Sequence, residues 1–236
     1  MRIFSLLLFL IVLFFLAHSS YADRRNYVWT YQYRTLSQAE TELEFYQTTL
    51  FANKEIWEYR IEVEHGFTER LDFAVYQIFR QEQGEAFKWD AVQFRLRYRF
   101  GQEGQFFMDP LVYLEYRQKL DAGQPKKIEL KLILAKQIEA LNISFNPLFE
   151  YYFEPTHASE LGLDAGISYE LSPQFLFGLE ATSRTVLLKN GNETALYVGP
   201  TVSFASGGWW YAVGAGLGLN NAAETTRIRF LMGLRL

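Results

Sequence analysis

Residues Arg227 to Leu236 alternate without a break. Ile228, Phe230, Met232, Leu234 and Leu236 are apolar, and Arg227, Arg229, Leu231, Gly233 and Arg235 stand between them. A period of two is the signature of a strand with one greasy and one polar face. Similar ribbons recur about a dozen times along the chain, with turn residues between them. After Ala17 no continuous apolar stretch approaches a membrane-spanning helix in length. Such ribbons either bury their greasy faces in a soluble sandwich or turn them to lipid around a barrel.

The N-terminus favours lipid. Met1-Arg2 precede an apolar run from Ile3 to Ala17, short for a spanning helix and right for the core of a signal peptide. Ser20-Tyr21-Ala22 sets small residues at the −3 and −1 positions, so residues 1–22 are expected to be removed after Ala22. The chain has no cysteine, which excludes disulfides, thiolate metal sites and a lipid-modified N-terminal cysteine. With Arg2 gone, 22 basic and 27 acidic residues give a net charge of −5 and no basic cluster, so nucleic acid is not an expected partner.

The expected fold is all-β: a transmembrane antiparallel up-and-down barrel of about 12 strands over residues 42–236. The strands read as Glu42 to Phe51, Glu55 to His65, Arg70 to Gln81, Phe87 to Phe100, Leu111 to Leu120, Lys127 to Gln137 and Leu141 to Phe153. Five more follow: Glu160 to Leu171, Gln174 to about Leu187, Thr194 to Phe204, Trp209 to Leu219 and Arg227 to Leu236. An even number puts both chain ends in the periplasm. Short turns are then expected at Gly66 to Glu69, Ile138 to Ala140, Ser172-Pro173 and Ser206 to Gly208, with a longer one from Gly101 to Pro110. A slip in the alternation near Ala91-Val92 predicts a bulge, and Pro147 predicts a bulge or bend. His65 to Phe73 and Tyr169 to Phe177 echo each other. Trp209, Trp210 and Tyr211 are expected in an aromatic girdle. Tyr27 to Arg34 also alternates but would make an odd strand, so residues 23–41 are expected to form a periplasmic or lumen-docked extension.

The signal peptide, the turn Gly66-Phe67-Thr68-Glu69-Arg70-Leu71 and the closing strand resemble Gram-negative outer-membrane β-barrel proteins. Within that class the chain resembles poorly characterised transporter-like and porin-like barrels. The last strand is similar to the C-terminal signal read by the barrel-assembly machinery, but ends in Leu236 where an aromatic residue is usual. The resemblance implies residence in the outer membrane, contact with its lipid and lipopolysaccharide, passage of small solutes, and no cofactor.

Inward positions carry near-equal numbers of acids and bases. The lumen candidates are Glu42, Glu44, Glu58, Arg60, Glu62, Arg95, Arg97, Arg99, Glu115, Arg117, Arg227 and Arg229. Asp72, Glu129, Glu150, Asp164, Glu170 and Glu180 also point inward on this reading. Buried charges must pair or be wet. Barrel closure is expected to bring Arg227, Arg229 and Arg235 against Glu42 and Glu44. The small inward residues Ala212, Gly214, Gly216 and Gly218 leave room on one wall. The expected function is a passive small-solute channel or transporter-like barrel with a narrow charged lumen. The alternatives are a lipid hydrolase using the pair His157-Ala158-Ser159, or a filled structural barrel. No catalytic or metal site is expected, since the mature histidines lie far apart.

Overall fold

The computed structural model describes residues 24–154, 157–188, 191–223 and 226–236. The expected signal peptide and its cleavage site lie outside the described residues. Twelve strands form one closed barrel: β1 (Thr41–Phe51), β2 (Ile56–Thr68), β3 (Leu71–Glu82), β4 (Lys88–Arg99), β5 (Asp109–Lys119), β6 (Lys127–Ile138), β7 (Leu141–Tyr152), β8 (Ser159–Ser172), β9 (Phe175–Leu187), β10 (Glu193–Ser206), β11 (Trp209–Gly218) and β12 (Thr226–Arg235). Each pairs antiparallel with its sequence neighbours, and β1 closes on β12, so no edge is left open. One end carries the tight turns, such as Glu139-Ala140 and Gly207-Gly208, and the longer turn after β4. The other end carries the longer connections. These are called the turn end and the loop end.

The alternation explains the two surfaces. On β4, Gln93, Arg95 and Arg97 are buried inside, while Phe94, Leu96 and Tyr98 are about 40% exposed outside. Leu43, Ile61, Leu114, Leu130, Phe145, Ile167, Leu179, Val198, Val213 and Ile228 continue this belt round the barrel. Apolar area costs roughly 25 cal/mol per Å² when left in water, so a belt of this extent is stable against hydrocarbon. Strands of 10–14 residues are long enough to cross it at a tilt.

Three bulges shape the ladder. Ile78 faces Ala91 while Phe79 faces Trp89, so the extra residue in β4 is Asp90, beside the expected slip. The other two are twins: the register shifts between Gly66 and Thr68 in β2 and between Glu170 and Ser172 in β8. These are the two echoing stretches of sequence, and both lie at the turn end. Strand β2 therefore runs through Gly66-Phe67-Thr68, where a turn was expected, and reverses at Glu69-Arg70. Pro147 makes no bulge. Lys131 faces Leu148 and Leu134 faces Phe145, an unshifted register on either side of the proline. Its missing donor is tolerated as a local gap in the ladder.

Trp210 corrects the girdle. Trp209 and Tyr211 stack outside, 6.4 Å between centroids, but Trp210 is fully buried in the lumen, as period two demands of the residue between them.

Candidate functional site

The lumen is built from the inward rows. Glu64 on β2, Ala74 on β3 and Arg95 on β4 stand opposite one another in the ladder. Ala74 is short, so Arg95 reaches over it and donates to Glu64, while its Nη1 lies 2.9 Å from Glu62 Oε1 and 2.6 Å from the Tyr76 hydroxyl. Arg97 donates to Glu64 and, at 2.7 Å, to Asp72. The Tyr46 hydroxyl lies 2.6 Å from carboxylate oxygens of both Glu44 and Glu62, and accepts from Arg25 at 3.0 Å. Glu44, Glu62 and Glu64 bring carboxylate oxygens within 4.8 Å of one another. Arg25, Arg95 and Arg97 already supply positive charge there.

A second set of charges lies nearer the loop end. Arg60 donates to Glu58 at 2.7 Å, and Arg117 approaches Glu58 at 3.7 Å and bonds Gln93 at 2.9 Å. Lys127 lies 3.4, 3.1 and 2.9 Å from Glu115, Glu129 and Glu150. Arg184 grips Asp164 with both terminal nitrogens, at 2.6 and 3.0 Å.

Among the described residues, no ion pair joins the arginines of β12 to Glu42 or Glu44. Arg235 faces Glu42 in the ladder, but its ion pair is with Glu40 at 3.3 Å. Glu42 accepts from Trp210 Nε1 at 2.8 Å. The indole of Trp210 lies on Gly233, so close that a Cβ there would be 2.2 Å from Nε1, and it fills the space between β12 and Glu42. Arg229 instead donates to Thr48 at 2.9 Å and to the Val28 carbonyl at 3.1 Å, and Arg227 donates to Thr182. Arg99 stands at the turn end, 2.8 Å from the Thr35 hydroxyl.

The centre of the lumen is occupied by residues 24–40, here called the plug. They enter from the turn end, reach inward as far as Trp29 and return to the turn end before β1. Arg24 donates to the Pro173 carbonyl, in the turn between β8 and β9, at 3.2 Å and to Glu170, near the end of β8, at 2.9 Å. Tyr27 donates to Asn142 at 3.0 Å, and burial pushes its phenol well above the ordinary value, keeping it a neutral donor. The amides of Val28, Trp29 and Thr30 then converge on the Glu180 carboxylate at 2.9, 2.9 and 2.7 Å. Thr201 donates to the same group. Consecutive amides around a carboxylate make an anion nest, and charge-assisted bonds of this kind contribute about 1.5–3 kcal/mol each. Tyr31 donates its amide to Asn146, and its carbonyl accepts from Ser144 and Asn146. Tyr33 donates to Gly101 at 2.8 Å, and Leu36 donates its amide to Asp72 at 3.0 Å.

Packing matches the bonding. Trp29 is covered on the loop side by Arg227 and Arg229, whose guanidinium carbons lie 4.5 and 5.6 Å from its ring centroid. Tyr31 lies between Arg25 at 4.2 Å and Lys131 at 4.8 Å. Ala39 and Glu40 pair with Gly66, where a Cβ would stand 2.0 Å from the Ser37 carbonyl oxygen. The wall of small residues is not open: Val28 fills the space over Gly214 and Arg227 lies on Gly216. On the side of Glu42, Glu44 and Glu64 the plug leaves a void of only about 30 Å³. At the turn-end mouth it leaves a cavity of about 400 Å³.

The candidate list thus divides between two ion clusters and the plug's cover. Sequence reading missed the residues that hold the plug: Glu180 as a nest ligand, and the row Asn142, Ser144 and Asn146. That row was visible as uncharged polar residues alternating with apolar ones on β7. At the loop end, His157 Nδ1 lies 3.1 Å from the Tyr151 hydroxyl and Nε2 lies 3.7 Å from Glu154. Among the described residues no hydrogen bond joins His157 to Ser159, the two residues on which the lipid-hydrolase alternative would rest.

A protein family of unknown function (DUF6662) matches residues 106–220, just under half of the chain. No curated protein matches the sequence. Solved structures with the same architecture include the COG4313 outer membrane channel from Pseudomonas putida F1, at 12% identity and a TM-score of 0.57, over 86% of this chain and 98% of that one. The NanC porin aligns at 10% identity and a TM-score of 0.60, over 83% of this chain and all of that one. The KdgM porin, solved with disordered oligogalacturonate, aligns at 10% identity and 0.61, over 82% and 98%. The chain has the fold of the outer-membrane porins and channels: a closed twelve-stranded porin-like barrel.

Proposed function

We propose that this barrel is an outer-membrane channel or transporter-like protein for small polar solutes, seen here closed by its own residues 24–40. In this reading the turn end faces the periplasm and the loop end the exterior, and the belt meets membrane lipid, with lipopolysaccharide in the outer leaflet. Delivery by the barrel-assembly machinery follows from the form of the last strand. The fold shared with channels and porins supports the general class. The observation that carries the closed state is the Glu180 nest, which ties three plug amides to the wall in mid-lumen. The interior wall is dense in paired charges, so a solute moving past it would meet a polar, narrow surface.

Planar-bilayer recording tests the reading. The mature chain should give little or no steady conductance, and a variant lacking residues 24–36 should give a persistent conductance several times larger. A deletion variant that refolds as a barrel and still seals the bilayer at all voltages would overturn it.

A further inference from the structure

The inner wall of β1 and β2 holds more negative charge than its arginines answer. Glu42, Glu44, Glu62, Glu64 and, next to them on β3, Asp72 are all buried. Three buried guanidiniums face them. Arg95 is spent on Glu62 and Glu64, and Arg97 on Glu64 and Asp72. Arg25 donates to Tyr46 and lies 3.8 Å from Glu44. Arg34 lines the rim of the same space but is itself exposed. Five buried carboxylates against three buried guanidiniums leave an excess of two negative charges, and uncompensated charge away from water is costly.

The excess gathers at Glu42. Its Oε1 accepts from Trp210, a neutral donor. Its Oε2 is buried and, among the described residues, accepts no hydrogen bond. The charges that act on this carboxylate most strongly are Glu44 and Glu64, both acidic. Glu42, Glu44 and Glu64 line one void of about 30 Å³, which the plug covers with Tyr31, Gln32 and Leu36. Oxygens of Glu44, Glu62 and Glu64 lie within 4.8 Å of one another. Two oxygens on opposite sides of a calcium ion, each at about 2.4 Å, are spaced in this way. The void has room for one ion but not for an ion with its shell of waters. A water there would give Glu42 a donor and leave the charge unanswered.

We propose that this void binds one calcium ion through carboxylate oxygens of Glu42, Glu44 and Glu64, with Glu62 beside them. The ligands are hard oxygens, and magnesium gives up its waters reluctantly, so a covered void of this size selects the larger ion. The site uses no histidine, which is why the spacing of His65 and His157 gives no sign of it. The bound ion ties β1 to β2 beneath the plug, and the site stands whether or not the barrel conducts.

The test is metal binding to the full mature chain, refolded in detergent without lipopolysaccharide and stripped with a chelator. Terbium is the first probe, because the indole of Trp210, bonded to Glu42, can excite a lanthanide held there. Its emission should saturate at one ion per chain, and calcium should displace it at concentrations at least about tenfold below those of magnesium. Calorimetry with calcium alone should give the same stoichiometry. Glu42→Gln keeps an acceptor for Trp210 and should weaken calcium at least about tenfold, as should Glu44→Gln. Glu58→Gln, which removes a carboxylate from the cluster nearer the loop end, should leave calcium binding unchanged. Absence of a saturable site would overturn the proposal and assign the excess charge to bound protons. Glu42→Gln and Glu44→Gln proteins that fold as barrels and bind calcium like the parent would also overturn it, as would an equal loss in Glu58→Gln. Calcium binding to a barrel whose plug deletion stays sealed would support the site while removing the channel proposed above.

Discussion

Val28 sits where a side chain on Gly214 would have to be: a Cβ built there lies 2.5 Å from Val28 Cγ2. The plug and the wall of β11 are therefore fitted to each other, and the fit gives a way to evict the plug from the wall side; the same Cβ would lie 2.8 Å from Thr201 Oγ1, which donates to Glu180, so the nest would be pressed as well. Gly214→Val should displace Val28 and raise bilayer conductance toward that of the plug deletion. Gly214→Ala, with less to accommodate, should give partial openings. A Gly214→Val barrel that remains closed would show that the plug repacks around the added methyls.

Glu180 offers the complementary change. Glu180→Gln keeps the shape but removes the charge and points an N–H₂ at amides that need an acceptor. At least one of the nest bonds is lost, each contributing about 1.5–3 kcal/mol when charge-assisted. Single-channel records should show flicker between sealed and open levels. Hydrogen exchange at Val28, Trp29 and Thr30 should quicken by roughly the same free energy, while exchange in β2 to β4 stays slow. Equal acceleration in those strands would mean that Glu180 supports the barrel and not the plug alone.

Arg95 belongs to the permanent wall. It is fully buried and serves Glu62, Glu64 and Tyr76 at once. Arg95→Met would leave two buried carboxylates without their main partner, a loss of about 3–5 kcal/mol. Urea unfolding in liposomes should report this as a lower midpoint. A double change, Arg95→Met with Glu62→Gln, should recover part of it; no recovery would point to lost packing against Tyr76 as the cause.

Gly66 governs where the plug rejoins the barrel. Ala39 donates to its carbonyl at 2.8 Å and its own amide donates to Glu40 at 3.0 Å, leaving no room for a Cβ. Gly66→Ala should free residues 37–40 from β2 and make this stretch sensitive to protease added from the turn side. The remaining strands should keep their protection. An unchanged digestion pattern would place the docking energy elsewhere, at Leu36 and Asp72.

Most of the barrel was legible in the chain because a strand writes its environment locally. Two faces, two chemistries and a period of two separate Phe94 from Arg95 without reference to any other residue. The bulge at Asp90 showed for the same reason, as a break in that period. The plug was not legible in this way. Tyr27 to Arg34 alternates like a strand, yet its backbone is satisfied by side chains, Glu180 and Asn146, that come 152 and 115 residues after the amides they accept from. Nothing near Tyr27 announces those partners. The same limit explains the arginines of β12: the ladder places Arg235 opposite Glu42, but only the inward turn of Trp210 shows that Glu42 accepts from the indole and Arg235 reaches Glu40. Pro147 makes no bulge because the consequence of a proline depends on whether the neighbouring strand keeps step, and β6 does.

The plug's bonds to the wall are met in chain order. From Arg24 at the mouth they run through Asn26 on Ser168 and Tyr27 on Asn142 to the carboxylate that holds the next three residues. A tug on Arg24 from the turn side would load these fastenings singly, like a zipper, each giving way before the next bears weight. The same tug applied at Leu36 would strain several at once. Extraction by the leading end is thus the mechanically cheap direction, and a force sensor attached there would record a staircase of small ruptures instead of one large one.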